Sequence, residues 1–587
     1  MRIRLASIGL LAVLQHTLAA ADKQNTLESL ARRVDNTFTS TLRVETEATT
    51  HAPNDRARPV RDGHFVAPLH LRPLARPQLL AVANGTLALL SLDQEAASRT
   101  EFVKLFSGND AGVDALRPLH ANPWATPYGL SIYGSEQIAD GGVGDGYGDG
   151  RAASLCTVDG WELQLKGSGP TPFARGGDGS AVVRSSTREF LASEAMAALG
   201  VPTTRALSLI ASYDENDRAT RPWYSPSTAV DPFYRPVAPH GGDMMHQEFR
   251  AITTRVARSF VRVGSLELYA RRWRRTGDPL AKQQLEELFW YVRDKDGYGT
   301  DRPTLGTAVV ELIVAARRRF ISLALHWQRV GYVQSNFNSD NCLVGGATLD
   351  YGPFGFMERY DPAWAMWVGS GEHYAFGNQL VAAQRNWETL VKSLEPLLHI
   401  RVSRTFEDEA RRAKAAMLAA KLGLVNVQAD ADWTNITCSP AILAATTTLW
   451  KDVSALLDAD VDYTLFWRRL SSAARAADAD AALEALAPAF YVQPAKTKQW
   501  RSWLARWRKE GPDADAMNRV NPLFVPREWM LVEAYEAAER GDGSVIATLQ
   551  RLFSRPYSDD HDPSLVAKYA RRAPDSARHQ GGVGYMS

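Results

Sequence analysis

Asp340, Asn341 and Asp350 bring carboxylate and amide oxygens to one short stretch of the chain, and the letters between them suggest how they meet. Two apolar runs, Cys342 to Val344 and Ala347 to Leu349, flank Gly345-Gly346, a pair that accepts the positive φ of a two-residue hairpin turn. Counting outward pairs Val344 with Ala347 and Cys342 with Leu349, so Asn341 is expected opposite Asp350, with Asp340 beside them. Opposed Cα atoms in such a ladder lie about 4.5 to 5.5 Å apart. Oxygen donors converging in this way suit a hard divalent cation such as Mg²⁺, which takes one or two carboxylates together with phosphate oxygens. A solvated hairpin with polar ends has the same pattern.

Further candidates lie upstream. The run from Gly141 to Arg151 carries glycines at Gly141, Gly142, Gly144, Gly146, Gly148 and Gly150. Such a run lets backbone N–H groups approach a phosphate, and a solvent loop has the same composition. Trp161 to Lys166 alternates apolar with polar, predicting a half-buried strand with Lys166 on the face of Glu162 and Gln164. Asp178-Gly179 predicts a tight bend. Ser185 to Glu189 opens a helix carrying Leu191, Ala195 and Leu199, closed by Gly200 and Pro202. Ser186 and Glu189 match a capping box, so Glu189 reads equally as a helix-start residue and as a catalytic one. Ile252 to Ala257 predicts a strand, and Ser259 a cap for a helix beginning at Phe260. Arg255 at the strand end and Arg262 in the helix first turn could then face one anion.

The elements that must position these residues follow from composition and pattern. The chain has 587 residues, 45% hydrophobic and 23% charged, too long for one compact core, so two or more lobes are expected. A formal net charge of +1 gives no global pull toward nucleic acid or acidic lipid. Cys156, Cys342 and Cys438 form no CxxC, and no HExxH is present, which disfavours disulfide frameworks and zinc hydrolases. Pro77 to Leu90 reads as helical, residues 308–330 form a strong helical segment, and 212–248 read as an inserted surface loop. Amphipathic runs at 387–424, 441–457, 463–486 and 526–554 give an α-rich second half. Residues 1–21 carry Arg2 and Arg4, then an apolar run interrupted by Gln15 and His16, a pattern that fits a secretory signal or a mitochondrial presequence. No later segment reads as transmembrane.

A Gly-rich loop, a strand lysine, a helix glutamate, then an Asp-Asn pair and a second Asp is the order of parts in a protein-kinase nucleotide site. The spelling differs, since Asp340 and Asn341 are adjacent and Asp350-Tyr351-Gly352 replaces DFG. In these departures the chain resembles the selenoprotein O (YdiU-like) family of kinase-fold protein adenylyltransferases. The resemblance is carried by Leu163-Gln164-Leu165-Lys166-Gly167, by Arg184 to Leu191, by Ser339-Asp340-Asn341 and by the heptapeptide Asp350 to Phe356. It continues in Arg359-Tyr360-Asp361-Pro362, Gly377-Asn378-Gln379 and Asn521 to Val525, and it covers roughly residues 34 to 560.

The resemblance implies an α+β, bilobal protein-kinase-like fold. Read with the composition and pattern of the chain, this gives a targeting segment (1–21), an extended polar N-terminal arm (22–75), an N-lobe (76–257), an α-rich C-lobe (258–486), a helical extension (487–560) and a flexible tail (561–587). Gly148, Gly150 and Arg151 would cover ATP, Lys166 held by Glu189 would contact its phosphates, and Asp178-Gly179 would form a second nucleotide-contacting turn. Arg255 and Arg262 would bind the terminal phosphate of an ATP held in reversed orientation. Asn341 and Asp350 would hold Mg²⁺ or Mn²⁺, Asp350 also touching ATP, and Asp340 would accept the proton of a Ser, Thr or Tyr hydroxyl on a protein substrate. Transfer of AMP with release of pyrophosphate is the implied reaction; γ-phosphoryl transfer and a nucleotide-binding scaffold are the alternatives. A monomer without nucleic-acid or integral-membrane partners is expected, and the family favours mitochondria over secretion. The chain departs from the family at Gln334, where histidine is usual, at Tyr128 to Gly134, which lacks His-Gln-Phe, and in a tail, Arg571 to Ser587, without cysteine.

Overall fold

The computed structural model describes residues 25–46, 56–136, 146–223, 244–366, 372–398, 406–458 and 460–579. The targeting segment, residues 141–145 of the glycine run, residues 224–243 of the insertion and the last eight residues lie outside the described residues. What is described is a mixed α/β molecule with an antiparallel sheet and many helices.

The N-terminal part begins with short helices α1 (Leu27–Arg32) and α2 (Thr37–Thr41), followed by β1 (Pro77–Val82), α3 (Asn84–Leu89), α4 (Gln94–Ala97) and α5 (Thr100–Phe106). The segment from Pro77 is thus strand then helix, where the letters suggested helix throughout; pairing of β1 along a neighbouring strand outweighs its weak local preference. A small hairpin, β2 (Ser131–Ile132) with β3 (Ser135–Glu136), precedes the long strands β4 (Ala152–Val158) and β5 (Trp161–Lys166). Then come β6 (Ala181–Val182), α6 (Val183–Ala198), β7 (Arg205–Ser212), β8 (Arg218–Trp223) and β9 (Met244–Ala257). The sheet runs β1-β7-β9-β5-β4, with β6 and β8 also paired to β9.

Strand β5 explains the sheet's two faces. Leu163 and Leu165 pack with Leu207, Ile210, Ile252 and Val256 against Leu27, Leu30 and Phe102 of the N-terminal helices. Glu162, Gln164 and Lys166 point the other way. The strand predicted as half-buried is buried on this face too, because helix α6 and the second half of the molecule close over it. Residues 212–223, read from sequence as part of a surface loop, end β7 and form β8, which extends β9 as a ribbon.

The second half is helical: α7 (Val263–Thr276), α8 (Pro279–Lys295) and the 26-residue α9 (Leu305–Val330), capped by Thr304 and ended by Gly331 at φ +78°. Strands β10 (Tyr332–Gln334) and β11 (Phe354–Phe356) pair antiparallel and bracket the loop that carries Asp340, Asn341 and Asp350. After them come α10 (Gln379–Leu394), α11 (Phe406–Lys421), α12 (Pro440–Ser454), α13 (Tyr463–Arg475), α14 (Ala479–Ala485), α15 (Thr497–Lys509) and α16 (Ala514–Val520). The chain closes with α17 (Glu528–Glu539), α18 (Ser544–Phe553) and α19 (Pro563–Tyr569). Trp500, Trp503 and Trp507 lie on one buried face of α15. The stretch beyond 561, read from composition as flexible, holds α19, where Tyr569 is buried and stacks on Trp529 with ring centroids 5.9 Å apart. Among the described residues no helix is long and apolar enough to cross a membrane.

Two local expectations are corrected. The Gly345-Gly346 pair does not make a two-residue hairpin. Gly346 N donates to Leu343 O at 3.0 Å in a turn from 343 to 346, and one bridge joins Cys342 to Thr348, a register one residue off the expected one. The reason is competition. Residues 342–344 bond instead to the residues leading into α7, through Val263 N to Cys342 O (2.8 Å) and Val344 N to Val261 O (3.1 Å). Asp340 and Asn341 consequently sit in a 3₁₀ turn, Ser339–Asn341, and not on a ladder. Helix α7 also starts later than Ser259 suggested: Ser259 Oγ accepts from Val261 N, and Arg262 is the residue preceding the first helical turn.

Candidate active site

A cavity of about 580 Å³ opens between the sheet's polar face and the loop between β10 and β11. Gly148, Gly150, Arg151, Lys166, Asp178 and Gly179 line it from one side. Arg255 on β9 lines it beside Lys166, and Arg262, Asp340, Asn341 and Asp350 also line it. Glu189 is the one candidate that does not reach the cavity wall; it lies beneath Lys166.

The register of β5 against β9 places Gln164 opposite Arg255 and Lys166 opposite Thr253, so the lysine and the arginine share a face by strand geometry. Helix α6 brings Glu189 under both. Lys166 Nζ bonds Glu189 Oε2 and reaches Asp350 Oδ1 at 3.0 Å. Arg255 Nε bonds Glu189 Oε1, its Nη2 donates to Asp350 Oδ1 at 2.6 Å, and its Nη1 donates to Gln164 Oε1 at 3.4 Å. Two cations and two carboxylates thus form a closed ring. Burial works against the charges on Asp350 and Glu189, yet Lys166 and Arg255 hold both carboxyls below their usual range. The capping-box reading of Glu189 fails, because α6 begins at Val183 and Glu189 sits well inside it.

Arg262 pairs with Asp149, Nη2 to Oδ1 at 2.9 Å, and its guanidinium lies over Tyr128, 4.3 Å from the ring centroid. Asp149, hidden in sequence among glycines, also accepts from Thr126 N (3.1 Å) and Oγ1 (2.6 Å). It thereby ties the glycine run to Thr126 and to Arg262 at the start of α7. Gly148 is required there for packing: a Cβ would meet Thr126 O at 2.3 Å and the Phe173 ring at 2.6 Å. Gly179 has φ +66°, and a Cβ there would lie 2.0 Å from Gly169 C, so only glycine makes this turn. Asp178 beside it is held by Arg221, Nη2 to Oδ1 at 2.7 Å and Nη1 to Oδ2 at 3.1 Å.

Asp340 sits at the base of the cavity against the first turn of α7. Ser131 N donates to its Oδ2 at 3.2 Å, and its backbone N is fixed by Asn338 Oδ1 at 3.1 Å. Its Oδ1 is buried without a hydrogen-bond partner, and a Cβ on Gly264 would come within 2.1 Å of it. Burial, with the Glu267 charge, pushes the Asp340 carboxyl well above the usual range, while the Ser131 amide and Arg262 oppose the shift. A carboxylate made more basic in this way is a stronger proton acceptor. Asn341 Nδ2 donates to Asn336 O at 2.9 Å, leaving its Oδ1 as the acceptor at the cavity. One carboxylate and one amide oxygen fit a hard divalent ion that keeps phosphate and water ligands. Among the described residues no group of three or more His, Cys, Asp or Glu side chains could hold a metal.

A family model described as protein adenylyltransferase SelO matches residues 57–233 and 240–554. The chain belongs to the SelO family. Relatives named protein nucleotidyltransferase YdiU include one from Azoarcus sp. (strain BH72), 35% identical over 540 residues, covering 88% of this chain and 92% of that protein. Another, from Rhodopirellula baltica, is 31% identical over 589 residues, covering 94% of this chain and 98% of that protein. The departure from the SelO family at Gln334 falls away from the cavity: Gln334 is buried, with its N bonded to Gln379 Oε1 at 3.2 Å and its own Oε1 accepting from Tyr332.

Sequence reasoning missed Asp149, Tyr128 and Arg221 as cavity residues. For Arg221 the pattern gave no signal, since Thr220 and Arg221 break the alternation of β8 and Pro222 argues against a strand. Asp149 had no signal apart from its glycine neighbours.

Proposed function

We propose that this chain, a protein nucleotidyltransferase of the SelO family, transfers AMP from ATP to Ser, Thr or Tyr hydroxyls of proteins and releases pyrophosphate. The observation that carries the reading is the convergence on one cavity of Lys166, Arg255, Arg262, Asp340, Asn341 and Asp350, from segments far apart in the chain. A bilobal protein-kinase-like architecture is part of the same reading, supported by the antiparallel sheet, the helix carrying Glu189 and the helical second half.

In this mechanism Lys166, Arg255 and Arg262 bind the phosphates, their charges gathered before the nucleotide arrives. Reversed ATP sets the α-phosphorus before the acceptor. The hydroxyl oxygen attacks it, the bond to the bridging oxygen of the β-phosphate breaks, and the hydroxyl proton passes to an Asp340 carboxylate oxygen. Asn341 and Asp350 would hold Mg²⁺ or Mn²⁺, which when bound supplies charge neutralisation at the phosphates. Gly148, Gly150, Arg151 and the Asp178-Gly179 turn border the nucleotide.

Incubation with ATP labelled at the α- or the γ-phosphate tests the reading. Label on protein from the α-position is expected; label from the γ-position alone overturns it in favour of phosphoryl transfer, and no label in favour of a scaffold. For location, the family resemblance supports mitochondrial import, and a fusion of residues 1–40 to a fluorescent reporter tests it, with secretion as the contrary result.

A further inference from the structure

The Asn521 to Val525 run lies outside the cavity and is held by its own hydrogen bonds. Asn521 Nδ2 donates to Lys421 O at 3.0 Å, its carbonyl accepts from Arg468 Nη1 at 3.1 Å, and Arg527 N closes onto Val525 O at 2.8 Å. These bonds deliver Arg527 and Glu528 to the start of α17, both buried. Glu528 receives the fork of Arg188, Nε to Oε1 at 3.0 Å and Nη2 to Oε2 at 2.9 Å. The same Nη2 donates to Phe354 O at 3.1 Å, and the guanidinium lies over the Phe354 ring, 4.6 Å from its centroid. Arg527 bonds Glu358 just beyond β11, and grips Asp462 at 2.7 and 2.9 Å.

Arg188 is the neighbour of Glu189 on α6, and Phe354 begins β11, four residues after Asp350. We propose that Arg188 and Glu528 are positioning residues for the transfer reaction: α17 latches α6 and β11 together, and so sets Glu189 and Asp350 at the cavity. The inference rests on the reading of that cavity as the transfer site. A planar fork suits the task because it fixes angle as well as distance between three elements, which a point charge does not.

Loss of a buried pair weakens any fold, so the test separates position from stability. Two full-length variants are compared with wild type, Glu528→Gln and the double replacement Arg188→Met with Glu528→Leu, each assayed where circular dichroism shows the native spectrum. The readout is AMP transfer from α-labelled ATP to casein as a general hydroxyl-bearing acceptor. In E528Q kcat is expected to fall about 10- to 100-fold, with KM for ATP changing less. The double variant removes both charges and regains melting temperature, yet kcat stays low because Phe354 has lost its donor. Wild-type kcat in E528Q, or kcat returning together with stability in the double variant, overturns the latch. Wild-type protein that transfers no α-label defeats the AMP-transfer reading instead. The latch is then read by hydrogen exchange, which is expected to quicken over residues 183–198 in E528Q; unchanged exchange overturns it.

Discussion

Helix α6 carries two buried charge networks on adjacent residues, and they differ in what lies beyond them. Glu189 faces the cavity and shares Lys166 and Arg255 with Asp350. Arg188 faces α17 and is closed off by Glu528 and the Phe354 ring. Both networks balance charge, as buried ions must. The first borders the cavity, and in the proposed mechanism its cations exchange carboxylate oxygens for phosphate oxygens. The second is enclosed by protein except for about 10 Å³ of space beside Glu528, so it holds one geometry. A single helix thus joins a network built for exchange to one built for constancy.

The comparison breaks hardest at Asp350. Asp350→Ala removes a shared partner of Lys166 and Arg255 and the carboxylate of the proposed metal site, and transfer of α-label is expected to fall by about 10³-fold or more. Retained activity would discard the site assignment. Glu189→Gln leaves Asp350 in place but frees one side of Lys166 and Arg255. A loss of about 10²-fold in kcat/KM is expected from steady-state kinetics, at the upper end of the range expected for E528Q, if the cavity-facing network is the one that does the chemistry.

Gly264→Ala probes the seat of Asp340 without touching any charge. The added Cβ would collide with Oδ1, so about a tenfold fall in kcat is expected, with about 1–3 kcal/mol of stability lost in denaturant melts. Unchanged kcat would remove Asp340 from the role of base.

The smallest effect is expected away from both networks, at Asp296. Burial pushes its carboxyl up to about 7, against the pull of Arg319. Its folded-state value lies above the ordinary one, so the folded protein binds more protons than the unfolded chain between about pH 4 and 7, and stability falls as pH rises through that window. Asp296→Asn should flatten this fall in melts taken across pH; an unchanged slope would show that other groups carry it.

Local pattern determined a great deal here. The alternation in β5 put Lys166, Gln164 and Glu162 on one face, the spacing in α6 and α9 marked their helices, and the order of the polar motifs pointed to a nucleotide site. Residues that touch within one strand or one helical turn leave a short-period signal, and the letters carry it. Other features were decided only by tertiary packing. The Gly345-Gly346 stretch gave up its hairpin because a neighbouring segment offered better backbone partners. Glu189 left its apparent capping role because α6 begins at Val183, four residues before the start that a Ser186 cap implies. Arg188 met Glu528 across 340 positions, and Arg221 met Asp178 from a strand that sequence concealed. A charge pair of that span has no periodicity to read; it exists because helices α6 and α17 pack face to face, and the packing depends on the whole core.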